Sequence, residues 1–112
     1  MSGITTHVLD TSLGKPAVGL PVHLSVRDGL IVRELALGLT DSDGRVLQFA
    51  SEEPLVIGSY QLRFEAAGYF RSTRREAFFE RVTLEFTVVD VHQHYHVPLL
   101  LSPFGYTTYR GS

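Results

Sequence analysis

The stretch VTLEFTVV, residues 82–89, decides the fold. Val82, Leu84, Phe86 and Val88 alternate with Thr83, Glu85 and Thr87, the period of two that gives a half-buried strand one face for the core and one for water. The same period returns in LPVHLSV (20–26), through Val22, Leu24 and Val26, and in SYQLRF (59–64), through Tyr60, Leu62 and Phe64. Between such runs stand LGKPAVG (13–19), RDG (27–29), DSDG (41–44) and SPFG (102–105). These have the chemistry of turns, because Gly admits positive φ, Pro fixes its own φ, and Asp or Ser bonds to nearby backbone. Short strands punctuated every ten or so residues predict an all-β chain folded as a two-sheet β-sandwich. Eight strands are expected, at 4–10, 20–27, 31–39, 45–49, 59–65, 81–89, 94–101 and 105–110. At most one short helix fits, at STRREAFFE (72–80). There Ser72 or Thr73 would cap a turn or two and Phe78 and Phe79 would face the core; otherwise the same residues form an irregular connection.

With 112 residues, 44% of them hydrophobic and 20% charged, the chain can close one core and is too short for two, so a single domain over 1–112 is expected. The formal charge is −2, and Arg71, Arg74, Arg75 and Arg81 are offset by Glu76 and Glu80. That balance gives no electrostatic reason to expect nucleic acid or a membrane surface as partner; a small molecule or another copy of the chain fits better. The absence of cysteine removes any disulfide framework or thiol nucleophile and agrees with a reducing compartment. No apolar run approaches the roughly 20 residues of a membrane helix. A strand pattern begins at Ile4 with no basic and then apolar leader, so a cytoplasmic location is expected.

Chemistry is concentrated in histidines. His92, His94 and His96 fall at every second position, so all three share a face if their strand begins early enough. Neighbouring same-face positions lie about 6.5–7 Å apart, an awkward span for one zinc ion, and no carboxylate or thiolate stands obviously nearby. Polar histidines on a wet strand face are the plainer reading, and catalytic use of one of them with partners from elsewhere is the third. His7, mid-strand in ITTHVLD (4–10), must find a hydrogen-bond partner or lose hydration when half-buried, as a structural histidine also would. Arg45 opens the strand after DSDG, where a surface ion pair is the default. His23 suggests no function.

Three motifs, THVLDTSLGKPA (6–17), DSDGR (41–45) and HYHVPLLLSPFGYTTYRGS (94–112), occur in an order that resembles the transthyretin-related 5-hydroxyisourate hydrolase family of purine catabolism. The likeness covers essentially the whole chain, and YRGS (109–112) is its most specific part, since that ending separates the hydrolases from the hormone carrier transthyretin. The resemblance implies a transthyretin-like sandwich. It also implies a homotetramer, a dimer of dimers, with the site at a subunit interface and the ordered YRGS end packed there. Residue by residue, it puts the catalytic groups on His7, Arg45 and His96 and substrate contacts on Tyr109, Arg110, Gly111 and Ser112, with no metal or cofactor. His92 and His94 are not carried over. Two departures, Glu80 in FFERV where the family favours proline and a turn that reads DSDGR (41–45) where asparagine is more familiar near its start, bear on loop shape.

The chemistry implied is hydrolytic opening of a planar bicyclic ureide. Neutral imidazoles of reference pKa about 6.5 suit the uptake of a proton from water, and a permanently charged, planar guanidinium suits the grip on carbonyl oxygens where negative charge develops. A Ser112 nucleophile is a weaker alternative, because no acidic residue completes a triad. The rival class is a carrier of hydrophobic ligands with the same fold; imidazoles and a guanidinium would line its cavity poorly.

Overall fold

A computed structural model describes residues 3–112. Among them nine strands and one helix are formed: β1 (Ile4–Asp10), β2 (Lys15–Pro16), β3 (Pro21–Asp28), β4 (Ile31–Leu39), β5 (Arg45–Val46), β6 (Gly58–Phe64), α1 (Ala66–Ser72), β7 (Val82–Val88), β8 (Tyr95–Ser102) and β9 (Gly105–Thr108). They make two sheets. One runs β4-β3-β6-β7, antiparallel throughout. In the other, ordered β2-β1-β8-β9, β5 joins β1 beside β2, and β1 pairs with β8 in parallel, Ile4 opposite Tyr95 through Asp10 opposite Leu101.

Alternation then sorts side chains as the sequence predicts. Val22 and Leu24 from β3, Tyr60, Leu62 and Phe64 from β6, and Val82 and Val88 from β7 are buried on the inner face of their sheet. Ile4, Thr6, Val8 and Asp10 of β1 face them together with Tyr95, Val97, Leu99 and Leu101 of β8. The intervening residues, Thr5, His7 and Leu9 on β1 and His96, Pro98 and Leu100 on β8, therefore stand on the outer face of the β1–β8 sheet.

Three strand expectations need amendment. The strand expected over 45–49 pairs only through Arg45 and Val46 before the chain leaves β1 and buries Phe49. A two-residue strand forms at Lys15–Pro16, and β9 stops at Thr108, although a single bridge pairs Gly111 with His96. The helix is displaced more seriously, to Ala66–Ser72. Ser72 and Thr73 do not start it. Their hydroxyls donate back to the carbonyls of Tyr69 and Phe70, which closes the final turn of a helix and competes with its continuation. Arg74 then takes a left-handed conformation, φ 60°, and the segment beyond is irregular, with Phe78 73% exposed rather than in the core.

That chain reversal delivers Arg75 to Asp10. The Asp10 side chain is fully buried and accepts hydrogen bonds from Arg75 Nη2 (2.6 Å), Tyr69 Oη (2.7 Å), Ser12 Oγ (2.8 Å) and the Leu13 N–H (3.2 Å). Burial alone would raise its pKa, but the Arg75, Tyr69, Ser12 and Leu13 donors together hold it well below the usual carboxylate range. Burial and the same bond push Tyr69 up to about 12. The cluster ties the end of β1 to α1 and the irregular segment after it.

Replacing Arg75 by leucine leaves a buried carboxylate with neutral donors only, and should cost roughly 3 kcal/mol, read as a lower urea midpoint at unchanged slope. Because the Asp10 pKa is depressed in the fold, its contribution is complete above the unfolded value near ~3.9 and disappears as pH falls through the lower folded value. Arg75→Leu should therefore also flatten the loss of stability in acid.

Candidate active site

The outer face of the β1–β8 sheet carries a concavity of about 580 Å³ lined by Thr5, His7, Leu9, Arg45, Leu47, His94, His96, Pro98, Tyr109, Gly111 and Ser112. That volume suits a small heterocycle. His7 and His96 reach it because both occupy outward positions of adjacent strands, His7 opposite Pro98 and His96 opposite Thr5.

Arg45 arrives from the other edge of β1, directly opposite His7. The turn before it is built for that. Asp41 Oδ1 accepts the N–H groups of Asp43 and Arg45, both at 2.9 Å, and the Gly44 N–H returns to the Asp41 carbonyl. The N–H of Arg45, first among the causes, holds Asp41 below the usual carboxylate range; partial desolvation opposes this, and Asp43, Arg45 and His7 favour the charged form further. Gly44 has φ +76°, and an added Cβ would overlap the Val8 carbonyl oxygen and meet Pro16 Cβ at 3.0 Å. Its own carbonyl accepts from Val8 N–H at 2.7 Å. Glycine is thus required for the turn to lie against β1 and present the next residue. Neither the Arg45 guanidinium nor the His7 ring makes a hydrogen bond or ion pair among the described residues, so their donors and acceptors are available to a ligand.

The YRGS segment closes the opposite side. The Gly111 N–H donates to the His96 carbonyl at 2.8 Å, and a Cβ on Gly111 would stand 2.5 Å from His96 Cδ2 and 3.2 Å from Pro98 Cγ. The backbone of the segment rests on the imidazole, which only glycine permits. Tyr109 and Ser112 line the cavity beside it. Arg110 does not: its guanidinium lies over the Tyr95 ring at 4.7 Å and donates to Gln93 Oε1 and the His94 carbonyl, and it borders a separate cleft of about 330 Å³ between β7 and β8.

His96 is half-buried. Burial lowers its pKa, and positive charge on Arg45, His94 and His7 acts in the same direction, so the ring is neutral and able to accept a proton near pH 7. Its Nδ1 is 2.8 Å from Thr5 Oγ1, which is also 2.8 Å from His94 Nε2. Thr5 and His94 are therefore cavity residues that reading the sequence did not select. The signal was present for both, since Thr5 is two positions from His7 and His94 two from His96. His92 sits in a turn, its N–H on Asp90 Oδ1, away from the cavity. His23 bonds Glu34 at 2.7 Å and lies 3.4 Å from Glu65, a cross-strand contact on the other sheet. No group of three or more His, Cys, Asp or Glu among the described residues is placed to hold a metal ion.

Residues 4–111 match the model of the HIUase/Transthyretin family. This chain belongs to that family. Among its HIUase/Transthyretin relatives, the 5-hydroxyisourate hydrolase of Caulobacter vibrioides is 46% identical, with all of both chains aligned. The solved structure of Klebsiella pneumoniae 5-hydroxyisourate hydrolase is 40% identical, with TM-score 0.87 over 99% of this chain and 100% of that one. Sea bream transthyretin in complex with thyroxine is 28% identical, with TM-score 0.91 over 97% and 94%. The transthyretin-like sandwich is thereby shared with a hydrolase and with a hormone-binding protein alike.

Two measurements test the geometry of the site. Gly111→Ala should shift the His96 ring resonances in a carbon–proton NMR spectrum while leaving the core methyls of Val8 and Leu99 in place; unmoved His96 signals would mean that YRGS does not rest on the ring. Arg45→Gln removes a positive charge near His96, so the His96 titration midpoint should rise toward the free value of about 6.5.

Proposed function

We propose that this chain hydrolyses 5-hydroxyisourate, opening the six-membered ring to 2-oxo-4-hydroxy-4-carboxy-5-ureidoimidazoline. The observation that carries the reading is the convergence of His7, Arg45 and His96 on one cavity, with no hydrogen bond or ion pair to the His7 ring or the Arg45 guanidinium among the described residues. Relatives of that name, aligned over the whole chain, support the substrate. His7 and His96 act as the general-base pair, one taking the proton of water and the other orienting water or protonating the leaving nitrogen. Arg45 holds the anionic edge of the ring and stabilises the oxyanion. Tyr109 and Ser112 offer hydroxyls to substrate or water, Gly111 seats His96, and Arg110 braces the turn before β8.

The active form is a homotetramer, a dimer of dimers, acting in the cytoplasm as a single domain of residues 1–112. Support for assembly comes from the cavity's own sheet face, which exposes Leu47 (61%) near half-buried Leu9, apolar surface suited to a second copy. No helix among the described residues is long and apolar enough to cross a membrane.

The test is the ultraviolet decay of freshly made 5-hydroxyisourate, with the mass in solution checked against four chains of 12.5 kDa. His7→Ala, Arg45→Ala and His96→Ala should each lower kcat/KM by about 10²–10⁴-fold; near-normal turnover in any two removes the assignment. The lowered pKa of His96 predicts that wild-type activity persists at neutral pH and falls only as pH drops through a value below about 6.5.

A further inference from the structure

Thr5 and His94 have no part in the mechanism above, yet they are wired to its base. Thr5 stands opposite His96 in the β1–β8 register, and its hydroxyl lies 2.8 Å from both His96 Nδ1 and His94 Nε2. The two rings are 6.5 Å apart, with 22° between their planes, too distant to share a proton directly. A hydroxyl between two neutral imidazoles donates to one and accepts from the other, so it couples their tautomers. Thr5 is 6% exposed, His96 half-buried and His94 exposed, so the three groups lead from the cavity wall to solvent.

We propose that Thr5 and His94 form a proton relay that keeps His96 in its basic tautomer and carries the proton it takes from water out to solvent. The inference rests on the hydrolase reading. At rest, His96 Nδ1–H donates to Thr5 Oγ1 and the Thr5 hydroxyl donates to His94 Nε2, which leaves a lone pair on His96 Nε2. When water adds to the substrate carbonyl, its proton binds His96 Nε2, the Nδ1 proton passes to Thr5 Oγ1, and the Thr5 proton passes to His94 Nε2. An O–H bond of water breaks as its oxygen bonds the substrate carbonyl carbon, one N–H bond forms and one breaks at His96, one O–H bond forms and one breaks at Thr5, one N–H bond forms at His94, and no electrons are gained or lost. The positive charge ends on His94.

The surroundings favour that direction. Arg45 on β5 and His7 on β1 both oppose a charge retained on half-buried His96, whereas His94 is the exposed member of the three. Asp41, the carboxylate near Arg45 and His7, belongs to the opposite edge of β1, and Arg110 meets His94 through its backbone carbonyl.

The experiment compares Thr5→Val, which keeps the shape and loses the hydroxyl, with Thr5→Ser, which keeps the hydroxyl, and adds His94→Ala, each checked by its melting temperature. Thr5→Val should lower kcat about 10²-fold, the scale of positioned proton transfer, with KM little changed, and Thr5→Ser should restore it. His94→Ala should lose activity that rises again with added imidazole. Wild-type turnover with Thr5→Val as fast as Thr5→Ser, or with His94→Ala indifferent to imidazole, overturns the relay. Failure of the wild type to hasten decay would instead sink the hydrolase reading. In that case nitrogen-15 shifts still decide the wiring: a proton on His96 Nδ1 that becomes partial in Thr5→Val supports it, and identical spectra overturn it.

Discussion

Everything in the cavity depends on the register of one parallel strand pair. β1 and β8 come from opposite ends of the chain, and their seven paired positions fix which residues of each face the core. Side chains alternate with a period of two, so a slip of one residue would turn Val8 and Leu99 outward and drive His7 and His96 among the aromatic rings. The core resists that slip, because Ile4, Val8, Tyr95, Leu99 and Leu101 are each 4% exposed or less, and fully burying such a side chain is worth about 1.5–3 kcal/mol. The polar outer face costs little by comparison. Its imidazoles sit at the margin of water, and the packing of their neighbours determines where they are.

Two glycines add what the strand pair cannot supply. Gly44 lets the DSDG turn press against the backbone of β1, which brings a cation to the far side of His7, and Gly111 lets the YRGS backbone lie flat on the His96 ring. Both act by having no side chain, and both deliver their effect to a neighbour. The charge that arrives with Arg45 has a further result: together with burial it disfavours the imidazolium of His96, which suits the base role proposed for that ring. Burial, guanidinium and imidazole act in one direction.

The sandwich was legible because alternation and turn chemistry are local, and each of β3, β6 and β7 carries its own inner and outer face. The helix was not. AAGYFRS is seven residues long with a glycine inside it, below the length at which a period of 3.6 stands out, and it exists because Tyr69 and Phe70 are buried against the sheets. The hydroxyls of Ser72 and Thr73 serve a helix end as well as a beginning, and only the fold decides which. His7, Arg45 and His96 were reached through likeness to known sequences, since an isolated arginine after a turn has no chemistry until its neighbour across the sheet is known. Thr5 escaped notice because a threonine in a strand is ordinary, and His94 was noticed but given no role, since the bonds that join Thr5 to the two histidines span 89 and 91 positions of the chain.

The backbone does not distinguish a hydrolase from a carrier, since a transthyretin and a hydroxyisourate hydrolase superpose on this chain about equally well; function must lie in the side chains that the shared sheet turns outward. Here those are imidazoles, a guanidinium and hydroxyls, together with Leu9, Leu47 and Pro98. A cavity so lined is hydrated when empty, and an apolar ligand entering it would strip water from a charged group and offer no hydrogen bond in return. A flat ureide, dense in carbonyls and N–H groups, exchanges those water contacts one for one. In the hydrolysis proposed above, water is taken up between the neutral imidazole of His96 and the Arg45 cation that favours the oxyanion, which are the two conditions that reaction requires.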